Sequence, residues 1–214
     1  MNITPNQKSI RFLHTFVIAA IIFVSGCAQH PQKIQPLINT EDWGKHQAQV
    51  LATKDWQAIG KLGVKVPHDG GSASIHWQQY GSEYQIYLNG PMGLGKIIIN
   101  GKRDEVTLLQ GSNPPQHAKT AEELILKNTG WNIPVTQLAY WARGLPAPKA
   151  KVAHYTFNEQ GLLSELDQAG WIITYSDYQP IADKSNLTTV LPGRITAEFK
   201  DVRLTVIIRE WQLQ

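Results

Sequence analysis

The chain has 214 residues, a formal net charge of +3, 42% hydrophobic residues and one cysteine. That length suits one domain with a substantial core, and a lone cysteine excludes an internal disulfide. Residues 1–26 hold Lys8 and Arg11 and no acid, so the apparent basicity belongs largely to this segment and gives no reason to expect nucleic-acid binding.

Residues 1–26 read as a signal peptide. Lys8 and Arg11 precede a mostly apolar stretch, Phe12–Phe23, which falls short of the roughly 20 residues needed to span a bilayer core. Val24-Ser25-Gly26-Cys27 resembles the bacterial lipobox. In that class of signal the cysteine becomes the mature N-terminus and carries a diacylglyceryl group plus an amide-linked acyl chain such as palmitate. The resemblance therefore implies lipidation at Cys27. Ala28, where an aspartate is the usual inner-membrane retention signal, implies a periplasm-facing anchor in the outer membrane. Residues 27–39, with Pro31 and Pro36, read as the acylated cysteine and a tether. Residues 40–214 read as a single domain.

A helix is predicted over about 41–53, with Thr40 as its cap and Trp43, Gln47, Val50 and Leu51 on one face. From Trp56 the period changes to two. Trp56, Ala58, Gly60, Leu62, Val64 and Val66 alternate with polar residues, a turn follows at His68–Gly71, and Ala73, Ile75 and Trp77 continue the pattern. Tyr84, Ile86 and Leu88 repeat it, then Lys96–Asn100 and Val106–Leu109. This is an antiparallel meander with one apolar face.

Thr120-Ala121-Glu122-Glu123 is a capping box, with Glu123 set to return a bond to the Thr120 amide. The helix it opens ends near Gly130. A second begins at Pro134, and Gly144 terminates it. Strands resume at Val152–Phe157, Leu162–Asp167 and Trp171–Tyr175. Gln179–Thr189 reads as a polar loop, and two last strands carry Ile195, Ala197, Phe199, then Leu204, Val206, Ile208 and Trp211. So long an antiparallel sheet curls towards a barrel, and the two inserted helices have apolar faces available to cover its mouth.

The turn Gly90-Pro91-Met92-Gly93-Leu94-Gly95 carries Met92 and Leu94 where a hairpin in water normally carries polar residues. Left wet, each forgoes about 1.5–3 kcal/mol. Either the turn folds back to bury them or it enters a membrane or acyl phase. The stretch Gly90–Ile97 also matches Gly-x4-Gly-Lys, but Ile97 stands where a phosphate-binding loop needs Ser or Thr, and a strand follows instead of a helix. The seven histidines show no metal-ligand spacing and no Gly-x-Ser-x-Gly elbow is present, so neither a catalytic residue, a metal nor a cofactor is expected. Seven tryptophans remain; Trp77, Trp141 and Trp171 could be ordinary core or could wall a cavity for a long apolar ligand.

Trp56 with Gly60-Lys61-Leu62, the Gly90-Pro91-Met92-Gly93 turn, Tyr140-Trp141-Ala142-Arg143-Gly144-Leu145-Pro146, and Gln168 with Gly170-Trp171 resemble the LolB family of outer-membrane lipoprotein receptors. The resemblance implies an unclosed antiparallel β-barrel of about 10–11 strands, helices over its opening, and an apolar interior. It also implies a relay in which the periplasmic carrier LolA hands over acylated lipoproteins for insertion into outer-membrane lipid. Moving one bare chain of roughly 15 methylenes through water would cost about 12 kcal/mol. The family's insertion loop carries a leucine where this chain has Met92, with Leu94 beside it. Trp77, Tyr140, Trp141 and Trp171 are the expected acyl-chain cavity, Arg143 a residue that could meet the carrier, and a monomer is expected. The competing reading is a structural or assembly lipoprotein that makes protein contacts without binding acyl chains.

Overall fold

The computed structural model describes residues 40–90 and 95–214. The predicted signal peptide, Cys27, the tether, Met92 and Leu94 lie outside the described residues. Helix α1 (Thr40–Ala52) leads into a run of strands: β1 (Asp55–Val66), β2 (Asp69–Tyr80), β3 (Glu83–Asn89), β4 (Lys96–Lys102), β5 (Glu105–Gln110) and the short β6 (Gln116–Ala118). Helices α2 (Ala121–Thr129) and α3 (Val135–Trp141) interrupt. Then come β7 (Val152–Phe157), β8 (Leu163–Gln168), β9 (Trp171–Ser176), β10 (Gln179–Ala182), β11 (Thr188–Leu191), β12 (Arg194–Phe199) and β13 (Val202–Leu213).

Eleven strands form one sheet in the order β6-β5-β4-β3-β2-β1-β13-β12-β9-β8-β7, with β10 and β11 a separate pair. Every neighbouring pair is antiparallel. The outermost strands β6 and β7 do not pair with each other, so the sheet is open, and α2 and α3 fall in the chain between these two edges. The expected open antiparallel architecture with mid-chain helices is the one observed.

One glycine makes the long β1–β13 pairing possible. The register slips between Ile59 and Gly60, which pair with Glu210 and Ile208, leaving Arg209 as the extra residue of a bulge. The slip changes the parity of β13. Leu204 and Ile208 are buried ahead of it, Trp211 and Leu213 after it. Without it the last two would face outward. The strands approach so closely here that a Cβ on Gly60 would lie 1.9 Å from the Ile207 carbonyl oxygen.

Several local expectations are corrected. Gln179–Thr189 is not a loop: Ile181 pairs with Thr189 and Pro180 with Val190, across a turn in which Asp183 Oδ1 accepts from the Ser185 and Leu187 amides. The first hairpin turns at 67–68, so Asp69-Gly70-Gly71 belongs to β2. Leu51 is 45% exposed, because α1 turns only its Val50 side fully inward. In the capping box Thr120 Oγ1 accepts from the Glu123 amide as expected, but Glu123 Oε2 accepts from Lys119 N, one residue earlier.

Gly60→Ala is expected to destabilise the fold by about 2–3 kcal/mol through backbone collision. Gly63→Ala, whose nearest neighbour is 3.9 Å away, should change little. Urea unfolding of the two variants checks this.

Candidate functional site

Alternation along the strands gives the sheet one apolar inner face. Its two ends differ. The turns at 67–68, 169–170 and 200–201 all fall at one end, the rim, where β3 also ends and β4 begins. At the opposite end Trp56, Trp77 and Trp211 are buried, and Ile86, Ile99, Val106 and Leu108 continue the core across β3, β4 and β5. Towards the rim Leu62, Val64, Leu88, Ile97 and Val206 are apolar and only partly buried, while Leu204, which pairs with Val64, is buried. Cross-strand register makes them contiguous: Val206 pairs with Leu62, and Ile75 with Leu88, which pairs with Ile97. The strands that carry Leu88 and Ile97 are joined by residues 90–95.

On β8 and β9 burial persists to the rim, and on β12 as far as Ala197, because the end of α3 and the segment after it lie there. Leu166, Ile173 and Ala197 are fully buried, and Trp171 nearly so. Two polar side chains fix this cover. Gln168 on β8 is completely buried. Its Oε1 accepts from Trp141 Nε1 and from Ala147 N, both at 2.8 Å, and its Nε2 donates to the carbonyls of Ala147 and Ala150 at 2.8 and 2.9 Å. Every donor and acceptor of the side-chain amide is used.

Arg143 is the second pin. After α3 the chain turns through Gly144 (φ 75), with Gly144 N bonded to the Trp141 carbonyl and Leu145 N to that of Tyr140. This is a Schellman closure, which requires the left-handed glycine. It turns Arg143 inward, where Nη1 donates to the Val50 and Thr53 carbonyls at 3.2 and 3.0 Å and so caps the end of α1. The guanidinium also lies over the Trp56 and Tyr140 rings, at 5.6 and 5.5 Å. Burial lowers its pKa to about 10, with the Tyr140 side chain opposing the shift. Only 8% exposed, Arg143 is a structural pin and presents no surface to a carrier.

The four tryptophan and tyrosine positions expected to line a cavity separate into two groups. Trp141 and Trp171 are in contact, with ring centroids 6.0 Å apart, and Trp171 stacks on Phe199 at 5.4 Å. Trp77 sits with Trp56 and Tyr84 at the other end, its Nε1 donating to Gln79 Oε1. Tyr140 is partly buried beneath Arg143. Clefts of about 550 and 580 Å³ lie beside α2 and beside the β7–β8 turn; none of the four residues lines either. No cluster of three or more potential metal ligands occurs among the described residues.

The family model for outer membrane lipoprotein LolB matches residues 54–211, from the start of β1 to Trp211. The chain belongs to the LolB family. Its relatives include the outer-membrane lipoprotein LolB of Cellvibrio japonicus, 45% identical over 203 residues that span 95% of this chain and 98% of that one. The LolB of Pseudomonas fluorescens is 33% identical over 200 residues, covering 92% and 95%. Among solved structures, a LolA superfamily protein from Nitrosomonas europaea superposes with a TM-score of 0.48 at 9% identity, covering 81% of this chain and 93% of that one.

Membership in the LolB family makes this chain an outer-membrane lipoprotein, and the two pins fall in segments that carry the family resemblance. Sequence reasoning located Gln168 and Arg143 but not their work. The pattern of a polar residue at an inward strand position, Leu166-Asp167-Gln168, was the available signal for the first. Replacing Gln168 by Leu should destabilise the protein by about 3 kcal/mol, because it strands the Trp141 indole N–H and three buried backbone groups. Thermal unfolding measures this, and the 142–151 segment should lose amide protection before the sheet does.

Proposed function

We propose that the protein receives acylated lipoproteins from a LolA-like periplasmic carrier and passes them into the outer membrane. One observation carries the reading. The inner face is apolar apart from Gln79 and Gln168, yet the helices and the 142–151 segment cover it unequally, leaving Leu62, Val64, Leu88, Ile97 and Val206 partly buried at the rim. An acyl chain laid on that patch trades water for hydrocarbon at about 25 cal/mol per Å². Trp141, Trp171 and Tyr140 border the covered side, Trp77 the deeper one, and chains of different length are accommodated by repacking between them.

Met92 and Leu94 are the insertion finger in this reading. In sequence they lie between β3 and β4, whose rim ends carry Leu88 and Ile97, and the reading gives them the hand-over from the patch to lipid. Methionine replaces leucine with comparable apolarity and more flexibility. Acylation at Cys27 anchors the protein in the membrane. Transfer runs down a gradient of affinity and uses no catalytic residue.

The edges of the sheet favour this over the reading as an assembly lipoprotein that recruits proteins by strand addition. β6 has three residues, and β7 is broken by irregularities at Val152/His154 and Thr156/Phe157. Short and interrupted edges discourage pairing with another chain.

Met92→Glu tests the finger. The variant should fold and bind acyl chains as the parent does, while its insertion of a labelled lipoprotein into liposomes falls at least about tenfold, the effect of roughly 1.4 kcal/mol or more on the inserting step. Normal insertion by the variant would contradict the assignment.

A further inference from the structure

The charges on the barrel are not spread evenly. Lys65, Lys96, Lys149, Lys151 and Lys200 all lie at the rim end and are exposed. None has an ion-pair partner among the described residues, and Arg203 at the same end is neutralised by Glu198 at 2.7 Å. The acids there are Asp69, Asp167 and Asp201. At the opposite end the turns and strand ends carry Asp55, Glu83, Asp104, Glu105 and Glu159 against Lys54, Lys102 and Arg103, a small excess of acid. The end that presents the half-covered apolar patch is thus the positive end of a polar molecule.

Two of the five lysines also sit where their backbone is least at ease. Lys149 and Lys200 have φ of 65 and 52. Turns of this hand are met with less strain by glycine or asparagine. Lys200 also holds its Nζ 5.2 Å from the Phe199 ring, which stacks on Trp171, so this charge lies beside the rim aromatics.

We propose that the rim docks on anionic phospholipid, with these lysines contacting headgroup phosphates around the apolar patch. A fluid, planar, negatively charged surface is the occupant that fits. The lysines are distributed along the sheet from β4, through β1 and the β12–β13 turn, to the segment before β7, and so ring the rim instead of forming one protein-sized patch. Ammonium groups on flexible stems suit headgroups that have no fixed position. The inference deepens the receptor reading by naming the lipid class, and its test needs no cargo.

The test is an amine-labelling footprint of the full acylated protein anchored in vesicles. A membrane-impermeant reagent and mass spectrometry report each lysine separately. With about 30% phosphatidylglycerol in phosphatidylcholine, the five rim lysines should label about threefold more slowly than in phosphatidylcholine alone, and about 0.5 M NaCl should erase the difference. Lys54 and Lys102, at the opposite end, should label alike in both vesicles. A Lys149→Asn/Lys200→Asn variant keeps turn-compatible residues and should lose most of the anionic-lipid protection at Lys65 and Lys96. Equal labelling of the rim in both vesicles overturns the proposal, as does full protection retained in the variant. Rim protection that appears only when a soluble acidic protein is added overturns it in favour of a protein partner. A footprint that holds while lipoprotein insertion fails counts against the cargo reading alone.

Discussion

The segment from Trp141 to Ala150 is pinned to the sheet by two buried polar side chains, and the unequal cover of the inner face follows from where those pins are. Gln168 ties Trp141, Ala147 and Ala150 to the rim end of β8; Arg143 ties the turn after α3 to the end of α1 and to Trp56 at the far end of β1. The cover is therefore drawn diagonally across the β8–β9–β12 side. Towards the rim Leu62, Val64, Leu88, Ile97 and Val206 are left with an incomplete roof, although Leu204 beside Val64 is buried. A sheet whose whole inner face was needed for stability would not be left this way, since each large side chain fully buried contributes about 1.5–3 kcal/mol.

Polar pins suit a protein that has to keep a cover in one place above an apolar surface. An apolar segment would slide, since contact with one greasy position is worth much the same as contact with the next. Gln168 and Arg143 accept only partners at fixed geometry, and they are costly to misplace because their groups are out of water. The cover is thereby specified in position while the patch beside it stays adaptable. An open sheet contributes as well: β6 and β7 do not meet, so the interior can widen without breaking a ladder of backbone hydrogen bonds.

Much of this was legible in the residues. The period-two runs located all of the long strands, because each has one face on the core and one in water. Helix ends at Thr120, Gly130 and Gly144 were marked by residues whose side chain or φ the ends require. β10 and β11 were missed because only Ile181 and Val190 alternate against a polar background. β6 was missed because three residues after a proline pair carry no period. The tryptophans were recognised as unusual, but a sequence does not say which share a wall; strand order does that, and it divides Trp77 from Trp141 and Trp171. The role of Arg143 was hidden for a different reason. A buried arginine without an acid partner leaves no charge pattern, and its Nη1 partners are carbonyls 93 and 90 residues away. The partly covered patch was equally invisible, since Leu62 and Leu88 look like any other core positions until the cover is drawn.

The central claim is that hydrocarbon enters at the rim and meets the tryptophans bordering the cover. Quenching of intrinsic fluorescence by acyl chains brominated along their length tests it most directly, in protein carrying Cys27→Ala so that its own anchor does not compete. The account predicts saturable quenching that is lost for the most part when Trp171 and Trp141 are replaced by Phe, and that is weakened when Leu62 or Leu88 is changed to a charged residue. Fluorescence unaffected by brominated chains, in protein shown to be folded, would mean that the inner face is a closed core and would contradict the account.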